Sequence, residues 1–352
     1  MTMVDWSLAR QVARLAGGSG EAEGADPDIA ALCAEMDQHV SAYTSLRPNS
    51  PMPPPELVGR EEWASVNIDS IAGMIDPVAV RLERRLEFAG PLAGALQAGA
   101  TATLAAEVGL VMGYVSTRVL GQYDVSLLGG DAPPRLLFVA PNMRKAVRDL
   151  EIDPDAFHRW ICAHELTHVY QFQGVPWLRE HLSAMVREYL AGVEVRIERG
   201  AAGGLPSLPN PAQLVEAFRE GGLAALVQTK EQRALMERVQ ATMAVVEGYS
   251  EHVMDSLGEE AIPGRDVLRA AMERRRRSRS APELVIQRLL GFDIKMRQYE
   301  LGKRFCDAVV GAAGIAVLDR VWEGPEALPS TSELEHPADW VARVGPAPAA
   351  AA

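Results

Sequence analysis

Between Asp153 and Gly174 the sequence leaves room for little besides one helix. Asp153 is a good N-cap, Pro154 suits the first helical position, and Asp155 places an acid where the helix dipole favours it. The run AFHRWICAHELTHVYQF then continues to Gly174, with Phe157, Trp160, Ile161 and Phe172 marking its buried side. Inside it stand His164, Glu165, Leu166, Thr167 and His168. Residues four apart lie about 40° apart around a helix, so the two imidazoles leave one face together and can grip one cation. Glu165 sits about 100° round from His164, outside the ligand set but within reach of a water beside the ion. This is the H-E-x-x-H arrangement of a zinc hydrolase. A hydrogen-bonded pair of core histidines explains it less well, because unpaired polar groups turned toward a core cost several kcal/mol.

A catalytic zinc needs a third protein ligand and an open fourth position. Glu180, in PWLREHL, follows the Gly174 to Pro176 break that could turn the chain back. Glu247 and Glu251, in VVEGYSEHVMD, share one face of a long helical pattern from Lys230 to Leu257, with Asp255 a further turn along. That spacing suits a ligand from a second helix and an acid that orients a histidine, which puts Glu247 modestly ahead of Glu180 and Glu251. His252 and His181 could instead be ligands. Tyr249, His252 and His181 are also candidates to hold a developing oxyanion, each with a plainer role in packing.

Most of the remaining chain also has a helical period. Trp6 to Leu15, Asp28 to Leu46, Glu61 to Leu86 and the segment up to Leu120 read as helices, and the Gly-rich acidic stretch before Asp28 reads as a loop. Five prolines between Arg47 and Pro55 mark an extended connector that no helix or central strand can absorb. From Phe88 to Thr117 the only charged residue is Glu107, a length that would span a bilayer. Its Ala, Gly and Thr are poor membrane residues, however, so a buried helical hairpin is expected and no membrane span. Val125 to Leu128 and Leu136 to Ala140, separated by Gly-Gly and Pro-Pro, form the best strand pair. The second of them could pair with an extended peptide, although ordinary sheet structure is the simpler reading. The expected fold is mainly α with a small β element (α+β). Its expected parts are N-terminal helices and the Pro-rich connector (1–56), a metallohydrolase domain (57–345) and a disordered tail (346–352).

Charge and cysteines narrow the function. With 35 basic against 47 acidic side chains, a formal charge of -12, the chain as a whole repels phosphate backbones, so nucleic acid is not an expected partner. Arg274 to Arg277 spread round a helix and are flanked by Glu273 and Glu283, which reads as a solvated segment. KMRQYELGKRF is expected to pack Met296, Tyr299 and Phe305 against the core. Cys33, Cys162 and Cys306 form no CxxC pair and suggest a reducing compartment. The first ten residues carry an acid and a base where a secretory signal needs an apolar run, so the expected location is cytoplasmic. The oligomeric state is not legible.

Several motifs in one order extend this reading. VLGQYD (Val119 to Asp124), VAPN (Val139 to Asn142), HELTHVYQFQGVPWLREHL (His164 to Leu182), EGYSEHVMD (Glu247 to Asp255) and LLGFDIKMRQYELGKRF (Leu289 to Phe305) together resemble the actinobacterial zincin-like hydrolases. That zinc-dependent metallopeptidase family includes a group associated with deazaflavin coenzyme biosynthesis. The resemblance runs from about Leu57 to Trp340. It implies a zincin-like metallopeptidase fold with HExxH on the active-site helix, His164 and His168 as zinc-binding histidines, Glu165 as the catalytic glutamate and Glu247 as the third ligand. Members usually read EGH where this chain has Glu247-Gly248-Tyr249, so the role of that histidine is not carried over.

The expected function is a zinc-dependent hydrolase in which zinc acidifies its bound water and Glu165 takes the proton, the substrate being a peptide or other amide. A small-molecule amide of the deazaflavin pathway would use the same residues. The alternative from another class is a catalytically inactive, zinc-stabilised scaffold serving a coenzyme pathway. Glu165 favours the enzyme, since a structural zinc site gains nothing from a base beside the metal.

Overall fold

Leu136, Leu137, Phe138 and Val139 are completely buried, and such a continuous apolar run belongs in the middle of a sheet rather than at its rim. In the computed structural model of the chain, which describes residues 4–18, 27–86, 93–125, 127, 133–191, 230–277 and 292–345, that is where they lie. Strand β3 (Arg135–Val139) is flanked by β1 (Pro55–Val58) and β2 (Gly121–Asp124), in the order β1-β3-β2. It runs parallel to β1, from Pro55 opposite Leu136 to Val58 opposite Val139. With β2 it is antiparallel, from Gly121 opposite Phe138 to Asp124 opposite Arg135.

Two expectations change here. The partner of β3 is Gly121–Asp124 and not Val125 to Leu128, and β3, paired on both sides, has no edge left for a peptide. The proline-rich connector also ends as a strand, with Pro55 opening β1 at the sheet edge, where its missing N–H breaks no ladder.

Helices make up most of the rest, so the fold is mainly α with one small sheet. Asp5 and Asp28 cap α1 (Trp6–Gly17) and α2 (Ile29–Tyr43) by accepting from the Leu8 and Ala31 amides. Then come α3 (Arg60–Leu86), α4 (Ala93–Ser116), α5 (Ala140–Leu150), α6 (Pro154–Gly174) and α7 (Leu178–Ala191). Later in the chain lie α8 (Lys230–Ser256), α9 (Arg265–Arg277), α10 (Phe292–Ala313) and short helices through Val344. The small residues of α4 let it lie against α1: a Cβ on Gly113 would meet the Ala13 carbonyl oxygen at 2.6 Å. Among the described residues no helix is long and apolar enough to cross a membrane.

The chain divides into two compact units, Met1–Ser183 with Val253–Met272, and Ala184–His252 with Glu273–Ala352. In the first, α1, α3 and α4 pack together over the sheet, burying Val58, Trp63, Ile68, Met112, Leu137 and Val139, while α2 and β2 pack on α6. In the second, Phe305 of α10 meets Trp340 edge to face at 5.3 Å, and the Trp340 Nε1–H donates to the Ala327 carbonyl at 2.7 Å. Phe305 thus packs as expected. The side chains of Met296, Tyr299, Arg276 and Arg277, most of the loop before Asp28, and the tail lie outside the described residues.

Candidate metal centre

Helix α6 begins as its sequence dictates, with Asp153 Oδ1 accepting from the Ala156 amide at 2.8 Å. Its burial goes further than one apolar side, for His158, Glu165, Thr167, His168, Gln171 and Gln173 are all buried too, whereas Phe172 is half-buried. Buried polar groups need partners, and those partners define the site. The Thr167 hydroxyl donates back to the Ala163 carbonyl at 2.7 Å. His168 Nδ1 lies 2.8 Å from Gln171 Oε1. An amide oxygen only accepts, so Nδ1 carries the proton and Nε2 keeps its lone pair. That Nε2 stands 3.2 Å from His164 Nε2, with the rings nearly perpendicular at 86°. His164 is itself stacked on Trp160, the rings 19° from parallel.

One ligand atom each from His164, His168 and Glu247 all lie within 4.8 Å of one another, the one such group of His, Cys, Asp or Glu among the described residues. These residues fit a zinc ion. Two nitrogens each about 2.0–2.1 Å from zinc at a tetrahedral angle stand roughly 3.3 Å apart, and the imidazole nitrogens here are separated by 3.2 Å. Two imidazoles and a carboxylate are also a donor set that zinc takes in open, catalytic sites.

Glu165 is 5% exposed, and its Oε2 accepts from the Tyr123 amide of β2 at 2.9 Å. The strand offering that amide is itself held. The Val139 amide donates to the Leu120 carbonyl at 2.9 Å, and Asn142 Nδ2 donates to the carbonyls of Ser116 and Val119 at 2.7 and 2.6 Å. Asn142 Oδ1 in turn accepts from Arg60 Nε at 2.7 Å. On the other side, Gln173 Nε2 donates to the Tyr123 hydroxyl at 3.2 Å, and burial pushes that phenol above its ordinary pKa, keeping it a neutral partner.

With this geometry go the comparisons with known proteins. From residue 4 to residue 341 the sequence matches the zincin-like metallopeptidases. The chain belongs to that family. It is also similar to a solved structure from Chloroflexus aurantiacus, described as a "putative hydrolase with a novel fold", with 29% identity, a TM-score of 0.71, and coverage of 97% of this chain and 98% of that one. No curated protein matches the sequence.

In this zincin-like chain the other sequence candidates go elsewhere. Glu180 is exposed in the first turn of α7, and Glu251 is half-buried on α8 outside the group of three. Asp255, expected to orient a histidine, pairs with Arg269 Nη1 at 3.0 Å. His252 Nδ1 lies 2.8 Å from Asp307 Oδ1, and His181 packs edge-on against Trp177 at 5.7 Å. Tyr249, fully buried, donates its hydroxyl to Asp319 Oδ1 at 2.8 Å and packs against Trp322, which is a packing role and not that of an oxyanion donor. Sequence reasoning passed over Gln171, Tyr123 and Asn142. Gln171 had a readable signal, since it lies three residues past His168 and so one turn along the same face.

Proposed function

We propose that this chain is a zinc-dependent hydrolase of metallopeptidase type, with His164, His168 and Glu247 as the metal ligands and Glu165 as the residue that moves the proton. The observation that carries the reading is that ligand atoms of His164, His168 and Glu247 all lie within 4.8 Å of one another, the two imidazole nitrogens 3.2 Å apart. Membership of the zincin-like family, together with the hydrolase description of the similar structure, supports hydrolysis as the reaction.

Bound there, zinc would make a water acidic near neutral pH and polarise a scissile carbonyl. The side chains do the rest. Gln171 holds His168 in the tautomer whose Nε2 would be available to bind the metal. Glu165 takes a proton from the attacking water and returns it to the leaving amine, a role that general-base residues fill at about 10²–10⁴-fold in rate. A peptide is the first substrate class, and the motif likeness to the deazaflavin-associated group makes a small-molecule amide the second.

Elemental analysis of purified wild type, Glu165→Gln and Glu247→Ala tests the proposal. About one zinc per chain is expected in the first two, with a marked loss in Glu247→Ala. A fluorogenic peptide library cleaved by wild type should be cut at least about 100-fold more slowly by Glu165→Gln. Absence of zinc from wild type, even after adding it back, would sink the hydrolase. Full occupancy in Glu247→Ala would move the third ligand to Glu180 or Glu251.

A further inference from the structure

Gly121 opens β2, paired opposite Phe138, and a glycine in a ladder often marks a close approach. Its backbone conformation does not call for glycine, since the positive-φ glycines among the described residues are Gly18, Gly264, Gly314 and Gly345. The space around it does. A Cβ at position 121 would stand 2.7 Å from Cγ, 2.8 Å from Oε1 and 2.9 Å from Cδ of Glu165, well inside an ordinary carbon contact of about 3.5 Å. The other carboxylate oxygen, Oε2, is taken by the Tyr123 amide, two residues along the same strand. Nor can β2 easily retreat, because the Val139 amide holds Leu120, and Asn142, braced by Arg60, holds Ser116 and Val119. An added methyl would therefore displace Glu165 and leave the strand in place.

We propose that Gly121 is a positioning residue for Glu165: the absent side chain and the Tyr123 amide form a slot in β2 that sets where the carboxylate stands. This rests on the proposed role of Glu165 in proton transfer. It also gives VLGQYD and VAPN a task, since Asn142 of the second motif holds the start of the first, and the first holds the glutamate.

Two measurements on the full chain decide it. Thermal unfolding is compared for wild type, Gly121→Ala, Glu165→Ala and the double variant. Gly121→Ala should lower Tm by about 2 °C or more in the presence of Glu165, and by much less once Glu165→Ala has removed the atoms it would strike. Equal losses in both backgrounds would overturn the inference. If Gly121→Ala does not fold, a folded double variant supports the slot and an unfolded one overturns it. With a fluorogenic peptide that wild type cleaves, Gly121→Ala should lower kcat roughly 10- to 100-fold, with KM within about twofold and zinc content unchanged. Unchanged kcat, or lost zinc, would again overturn it. Hydrolysis that survives Glu165→Gln would instead refute the proposed role of Glu165 in proton transfer, and the unfolding comparison would still show whether Gly121 holds Glu165.

Discussion

The pair β2 and α6 and the pair α8 and α10 share two features, a glycine at a close approach and a buried histidine bonded through Nδ1. At β2, Gly121 faces the Glu165 side chain, which can move. At α8, Gly248 faces the backbone of Gly302, and Gly302 faces the Ala244 carbonyl, so neither can gain a side chain unless a helix moves. The histidines differ in a parallel way. His168 has a neutral partner, Gln171, one turn along its own helix, whereas His252 has a carboxylate from another helix, Asp307, whose second oxygen accepts from Lys303 Nζ at 2.5 Å. A neutral acceptor leaves the far nitrogen a ligand for a cation. A shared carboxylate, bonded to His252 of α8 through one oxygen and to Lys303 of α10 through the other, ties two helices together. Similar parts thus hold the Glu165 carboxylate in one place and set a helix crossing in the other.

The sharpest way to break this comparison is to add the same methyl on the α8–α10 side. Gly302→Ala should cost about 3 kcal/mol, the upper range for overpacking, because only backbone stands in its way. Urea unfolding would show it, and a loss no larger than that of Gly121→Ala would erase the distinction between the two contacts. A smaller effect is expected at the histidine partners. Gln171→Leu should weaken zinc about 10- to 100-fold in competition with a chelator, while Asp307→Asn leaves zinc affinity within about twofold. Equal losses in the two variants would mean that His168 and His252 do the same work.

The smallest effect depends on pH. Burial of the Asp307 carboxyl opposes its charge, but hydrogen bonds from His252 and Lys303 outweigh this and hold its pKa below the usual aspartate value. A carboxyl depressed in the folded state adds stability above its unfolded pKa of about 3.9, and that stability is lost as pH falls through the lower folded value. Wild type should therefore exceed Asp307→Asn at neutral pH and converge with it in acid. The difference should stay below about 1 kcal/mol, since the side chain is 43% exposed and screened by solvent. A gap that persisted in acid would assign the effect to packing rather than charge.

How far the site could be read in advance varies by residue. His164, Glu165 and His168 were legible because their relation is one turn of one helix, fixed by 3.6 residues per turn. Gln171 was equally local but carries no charge and belongs to no metal-ligand pattern, so it passed unnoticed. Glu247 could be singled out from its spacing and from the motif likeness, yet Glu180 and Glu251 stayed in contention, because spacing along one helix says nothing about what another element brings near. Tyr249 looked chemical in sequence, and its Asp319 and Trp322 partners turned it into a packing residue. The sheet was the least legible part. Gly-Gly and Pro-Pro suggested a short hairpin, whereas the ladder to β3 uses Gly121–Asp124, and the proline-rich stretch concealed β1.

By itself the sequence determined a mainly helical chain and the start of α6 at Asp153. It also determined that His164 and His168 share a face, because caps, helical period and turn chemistry act within a few residues. Tertiary structure alone decided the strand order, the slot that Gly121 leaves for Glu165, the Asp307 partner of His252 and the crossing of α8 with α10. Each of these rests on hydrogen bonds or close contacts between segments far apart in the chain, and no local propensity encodes which distant group will arrive.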